Sequence, residues 1–237
     1  RAPELERDLL SLYAADVTKY WVDFLDGVRY SPQSTMDGVA DQLARLAKGD
    51  SPLFKLLRGV RDQTRGLTVT GTPLEAVGRD FRVLADFFAP SGSLGQRTND
   101  FLGDLARKLP GQGGAPSTSR QTLDAQYMQY LAKAQGDIAK LGPAAPLSRL
   151  QDLLSPPPDQ TNGVFELVSF AQTLGENFAD SPSAPVIARL LRAPVDSARD
   201  IVRTRGLGPR VATAWTSTVL QRFQSELGGK YPFSAGG

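Results

Sequence analysis

The feature that most constrains this chain is the spacing of its apolar residues. In the first segment Leu5, Leu9, Leu12, Tyr13, Val17, Tyr20, Trp21, Phe24 and Val28 recur every three or four positions. That interval stacks side chains on one face of an α-helix, and acids and bases are assigned to the opposite face. The spacing predicts a helix from about Glu4 to Arg29, ended at Ser31-Pro32 because proline pushes the residue before it out of the helical region. Alternating β-type runs are nearly absent. Gly66-Leu67-Thr68-Val69-Thr70 is the one candidate strand, and it reads better as a loop between helices.

Helix starts are marked by prolines. Ser51-Pro52, Thr72-Pro73 and Ser181-Pro182 place a hydroxyl ahead of a proline. The hydroxyl accepts an orphan backbone N–H, and proline supplies a helical φ where its missing N–H costs nothing. Ala145-Pro146-Leu147 and Ala184-Pro185-Val186 use the proline alone, and the irregular distances between these starts argue against a true repeat. Pro110 to Ser119 is a Gly/Ser/Pro connector, and Ser155 to Gly163 is a loop with three successive prolines. The expected fold is an all-α, elongated multi-helix bundle, of one piece or in two lobes. In the second case the lobes are residues 1–109 and 120–228, joined by linker 110–119 and followed by a tail at 229–237.

Composition excludes several functions. The 237 residues contain no Cys and no His, which removes Ser-His-Asp triads, Cys-His pairs and ordinary zinc sites. No catalytic, cofactor-binding or metal-ligating residues are assigned, no cofactor is expected, and the chain is expected not to be an enzyme. A net charge of +2 speaks against nucleic acid as a partner. No apolar run approaches the 18 or so residues that span a bilayer, so the segment itself is expected to be water-soluble; its start at Arg1-Ala2-Pro3 reads as that of a fragment, which leaves a membrane-anchored parent open.

Four local patterns have a bland reading beside a functional one. Asp37 and Asp41 lie one helical turn apart and read as a solvated face rather than a cation pair. Gly111-Gln112-Gly113-Gly114 lacks the strand and the Gly-Lys-Ser/Thr of a phosphate loop and reads as linker. Arg189, Arg192, Arg199, Arg203, Arg205 and Arg210 form a basic stretch interrupted by Asp196 and Asp200. An anionic partner is the functional reading of that stretch, and a solvated face whose arginine stems cover apolar surface is the bland one. For the aromatics of the first helix, Tyr13, Tyr20, Trp21 and Phe24, lining of a ligand pocket is the functional reading, and they are assigned to packing against neighbouring helices.

The last helix carries Val211, Trp215, Val219, Phe223 and Leu227 at every fourth position after Leu207. Four residues turn an α-helix through about 400°, so the stripe drifts about 40° per step and predicts a helix gripped by different neighbours along its length. Gly228-Gly229 stop it, and Tyr231-Pro232-Phe233 places two aromatics beside the end of the chain. Arg199, Arg203, Arg205, Arg210, Tyr231 and Phe233 are the candidate interface residues.

The closing run, with Trp215, Val219-Leu220, Leu227 and then Gly229-Lys230-Tyr231-Pro232-Phe233, resembles the periplasmic region of the IcmF/VasK (TssM-type) family of type VI secretion systems. Leu12-Tyr13, Tyr20-Trp21 and Phe24-Leu25 resemble the family's opening periplasmic helix, and Ser51-Pro52-Leu53 with Leu57 and Val60 its Ser-Pro-Leu helix start. Phe223 departs from the cysteine of many relatives. The resemblance implies a structural periplasmic segment of an inner-membrane protein, an envelope-spanning scaffold working through protein contacts. It implies a TssJ-like outer-membrane lipoprotein as partner, reached mostly through a β-rich module beyond the signature, a TssL-like inner-membrane protein, and self-association in the full complex. The alternative is an unrelated helical adaptor using the Arg189–Arg210 face.

Overall fold

The computed structural model of the chain describes residues 2–89, 96–109, 122–141 and 145–227. Within them the fold is all-α, with no strand. The expected connector at 110–119 and the tail at 229–237 lie outside the described residues.

The opening periodicity forms α1 (Ala2–Gly27), followed by α2 (Met36–Leu46) and α3 (Pro52–Leu67). Two short helices follow, α4 (Glu75–Asp80) and α5 (Arg82–Phe87), and then α6 (Gln96–Lys108) and α7 (Leu123–Ala139). The second half of the chain adds α8 (Leu147–Leu154), α9 (Gly163–Asn177) and α10 (Ala184–Ile201). From there helical structure runs on without a break through a π-helical stretch (Val202–Leu207), α11 (Gly208–Trp215), a second π stretch (Thr216–Leu220) and α12 (Gln221–Leu227).

Side-chain caps explain four of the helix starts among the described residues. Ser51 Oγ accepts from Phe54 N at 3.4 Å, as its sequence predicts, and Thr35, Thr122 and Asn162 cap α2, α7 and α9 in the same way. Asn162 works in both directions, since its Nδ2 also donates to the Asp152 and Leu153 carbonyls at the end of α8. Two expected caps are different. Thr72 Oγ1 accepts from Leu74 N inside a turn, and α4 begins only at Glu75. Ser181 does not cap α10; its hydroxyl donates to the Asp80 carbonyl, and the helix starts at Ala184.

That carbonyl is free because the chain breaks at Phe81, between α4 and α5. Ser183 Oγ also donates to it, at 2.6 Å, while the Asp80 carboxylate accepts from Thr18 Oγ1 at 2.9 Å. One interrupted residue thus joins α1, α4 and the start of α10. Pro194 creates a second such node. Its ring removes the N–H that would bond the Leu190 carbonyl four residues back. Tyr30 Oη donates to that carbonyl at 3.0 Å, and Tyr127 Oη donates to Leu191 O at 2.8 Å.

The centre of the body is a cluster of rings. Phe170 of α9 lies 5.1–6.3 Å from Phe87, Phe101, Tyr127 and Tyr130, and Phe87 lies 4.9–6.3 Å from Phe54, Phe88, Tyr127 and Phe170. Helices on both sides of the expected linker, α3, α5 and α6 before it and α7 and α9 after it, contribute to this one cluster. α9 approaches α7 closely enough that a Cβ on Gly163 would meet the Ala134 backbone N at 2.2 Å.

α1 runs parallel to α10 along one side of the body. Thr18 is level with Ser183 through Asp80, and Arg189 donates to the Leu25 and Asp26 carbonyls a turn or two further on. The two helices overrun the body in opposite directions. Residues 2–9 of α1 project at one end, and from Arg203 onward every described side chain of the terminal helix is exposed at the other.

Two predictions follow from these contacts. Gly163→Ala must force α7 and α9 apart, at a cost of about 1–3 kcal/mol or more, read as a fall in the denaturation midpoint. Burial pushes the phenols of Tyr30 and Tyr127 well above the ordinary value of 10.0, and that of Tyr130 up to about 12. Above about pH 10 the unfolded chain releases protons that the fold retains, so stability is full below that pH and declines as pH rises above it. Helicity followed by circular dichroism is expected to show this alkaline loss. Tyr30→Phe with Tyr127→Phe should flatten the dependence, while costing about 1–3 kcal/mol at neutral pH for the Leu190 carbonyl that loses its donor.

Candidate docking surfaces

Among the described residues twelve large apolar side chains are exposed, and eleven of them lie on the two overrunning helices. α1 carries Leu5, Leu9, Leu12, Tyr13, Tyr20 and Phe24; the terminal helix carries Val211, Trp215, Val219, Leu220 and Phe223. Single exposed apolar residues are ordinary on a protein surface, but two concentrated rows are not.

On α1 the exposed row results from a second apolar face. At 100° per residue, Ala14, Thr18, Trp21 and Leu25 point one way and meet the body, with Ala14, Thr18 and Leu25 buried. Leu5, Leu9, Leu12, Tyr13, Tyr20 and Phe24 centre on nearly the opposite direction. The assignment of these aromatics to helix packing is therefore corrected: Tyr13, Tyr20 and Phe24 are 49%, 66% and 44% exposed, and of the four rings only Trp21 packs on the core. Trp21 holds Tyr20 and Phe24 edge-to-face, with ring centroids 5.6 and 5.7 Å away. The acids do not occupy a separate face either. Asp16 and Asp23 fall within the angular sector of the exposed row, and Asp8 lies beside it.

The terminal helix is corrected in the same sense. Among the described residues its stripe is gripped by no neighbour: Val211, Trp215 and Phe223 are 59%, 60% and 57% exposed. Its predicted winding is also reduced. The π stretches take more residues per turn than an α-helix, so they rotate less per residue. A four-residue repeat through Thr216–Leu220 stays closer to one face than an unbroken α-helix would allow.

The basic stretch does not form one continuous face. Arg189 caps the end of α1 and pairs with Asp26 at 3.3 Å, and Arg192 pairs with Asp196 at 3.0 Å. Arg199 is half-buried, while Arg203 is exposed with Asp200 4.0 Å away. Arg205 and Arg210 lie on the projecting helix; their side chains are outside the described residues, as are Gly229, Lys230, Tyr231, Pro232 and Phe233. Asp37 and Asp41 are exposed on α2, Asp41 at the rim of an open cleft of about 620 Å³ between the 28–33 loop, α2 and the start of α3. That cleft has Arg29, Gln33, Gln42 and Arg45 around an apolar floor and carries no buried charge. The sequence reading missed the second face of α1. Its signal was present in the small residues Ala14 and Thr18, which share an angular sector with Trp21 and Leu25 opposite the leucine row.

In dilute solution Trp215 is expected to dominate the quencher-accessible fluorescence. Trp215→Phe should leave only the partly shielded emission of Trp21, seen as a smaller acrylamide quenching constant; unchanged quenching would contradict the exposed stripe.

The IcmF-related family, described as intracellular multiplication and human macrophage-killing, matches residues 1–65. No curated protein and no solved structure matches the chain. The matched residues include α1 with its exposed row and the Ser51-Pro52-Leu53 start, and the closing signature lies beyond them. This points to a membrane-associated, secretion-related protein, and no helix among the described residues is long and apolar enough to cross a membrane. Over residues 1–65 the chain is similar to the IcmF-related family.

Proposed function

We propose that the chain is a periplasmic scaffold segment of a type VI secretion membrane complex, non-enzymatic and acting through protein contacts. The observation that carries this reading is the pair of exposed apolar rows on helices that overrun a well-packed body in opposite directions. Such a shape suits a strut that receives partners at its ends. A body whose rings and backbone carbonyls are internally satisfied has little need to rearrange when they bind. The absence of His and Cys supports the non-enzymatic part. A TssJ-like lipoprotein, a TssL-like inner-membrane protein and further copies of the chain are the partners in this reading. The adaptor alternative has less support, because Arg189 and Arg192 are committed to ion pairs within the body.

The test is made in the full-length parent in its own cell. Leu9→Ser with Leu12→Ser, and separately Trp215→Ser with Phe223→Ser, are expected to reduce secretion at least tenfold while protein level is unchanged. These side chains are already exposed, so the fold loses little by their removal. Undiminished secretion in both variants would overturn the scaffold reading.

A further inference from the structure

We infer that the two exposed rows are halves of one interface, and that the terminal helix of one copy docks on the outer face of α1 of a second copy, head to tail. This deepens the scaffold reading and rests on it for the premise that the exposed faces meet protein.

Charge selects the pairing. α1 carries six acids, Glu4, Glu6, Asp8, Asp16, Asp23 and Asp26, against Arg7 and Lys19, a net of −4. Residues 202–227 carry four arginines, Arg203, Arg205, Arg210 and Arg222, against Glu226, a net of +3. A row on α1 set against its own counterpart brings −4 against −4, and two terminal helices bring +3 against +3. Only the mixed pairing places opposite charge around the apolar contact, and complementary potential both favours the right partner and penalises the wrong ones.

Geometry excludes the same contact within one chain. With Thr18 level with Ser183, Leu9 lies about 14 Å back along α1, whereas Val211 lies about 40 Å forward along the α10–α11 line. The two rows of one molecule therefore point away from each other at opposite ends. Their lengths match well enough to pair between molecules. Leu5 to Phe24 extends about 28 Å and Val211 to Phe223 about 18 Å, so the shorter row fits within the longer one.

The buried surface is modest. Eleven half-exposed large side chains cover on the order of 1,000 Å², the weak end of specific interfaces, where association depends on salt and concentration. A contact of this kind is heterologous: each copy keeps one free acceptor face and one free donor helix, so it grows as an open chain or closes as a ring.

The experiment uses the 237-residue protein and light scattering after size exclusion, over a range of concentration at low and high salt. Leu9→Asp with Leu12→Asp blocks the acceptor face, and Trp215→Asp with Phe223→Asp blocks the donor helix; circular dichroism confirms that both variants remain helical. The wild type is expected to form concentration-dependent oligomers that high salt weakens. Each variant alone is expected to be monomeric, because each lacks one half of the interface. Their equimolar mixture should restore association through the one intact half on each partner and stop at a 1:1 dimer.

A wild type that is monomeric up to about 1 mM, a mixture that stays monomeric, or an α1 variant that still self-associates would each overturn the inference. A monomeric protein whose exposed rows are still needed for secretion overturns the inference and leaves the scaffold reading in place. Head-to-tail oligomers with undiminished secretion do the reverse.

Discussion

The contact between Phe170 and Phe87, with the rings around them, is the interaction on which the rest of the structure depends. Five helices send a ring into this cluster, and offset and edge-to-face pairs add about 0.5–1.5 kcal/mol each beyond the burial of their area. Tyr127 extends the cluster outward: its ring lies 5.7 Å from that of Phe170 while its hydroxyl bonds the Leu191 carbonyl of α10. α10 is thereby tied to the centre by a polar contact as well as by its own buried residues, among them Ile187, Leu190, Leu191 and Val195. α1 is different, because it sends no ring into the cluster. It is held at the edge through Ala14, Leu25 and the Thr18–Asp80 bond, and this lets its outer face remain apolar without harm to the fold.

Two backbone interruptions set the positions of the long helices. The break at Phe81 frees the Asp80 carbonyl, and Pro194 frees that of Leu190. An unpaired buried carbonyl is costly, so each break demands a donor from a neighbour. Ser181 and Ser183 meet the first demand and Tyr30 the second. Because those donors lie in the loops flanking α10 and α1, satisfying them fixes how α1 and α10 lie side by side. The parallel course that sends the two ends in opposite directions is a consequence of hydrogen-bond accounting.

That course also gives the exposed rows their meaning. Apolar side chains on a helix in the middle of a bundle are core, whereas the same side chains on an overrunning helix are surface. The π stretches of the terminal helix strengthen the contrast by holding its repeat nearer to one face. A family match confined to residues 1–65 coincides with α1, α2 and nearly all of α3, and so with the acidic one of the two rows.

Local chemistry was legible in the sequence wherever one residue and its near neighbours decide the outcome. Helical periodicity, the Ser51 cap, the proline-bearing loop at 155–163 and the loop character of the residues after Leu67 all depend on spacing and backbone preference, which sequence carries directly. The residue types of the rows were legible too, together with the opposite net charges of α1 and the terminal helix. Their exposure was not. A periodic stripe states that a helix has an apolar face and says nothing of whether another element covers it, so Leu9, Tyr20 and Trp215 read as core. Ser181 read as a cap because its use by Asp80, 101 residues away, depends on a break whose free carbonyl exists only in the folded chain. Composition and order along the chain thus determined the helices and their charges. Only the tertiary arrangement decided which apolar faces are buried and which face outward, because burial is a property of neighbours and not of the residue.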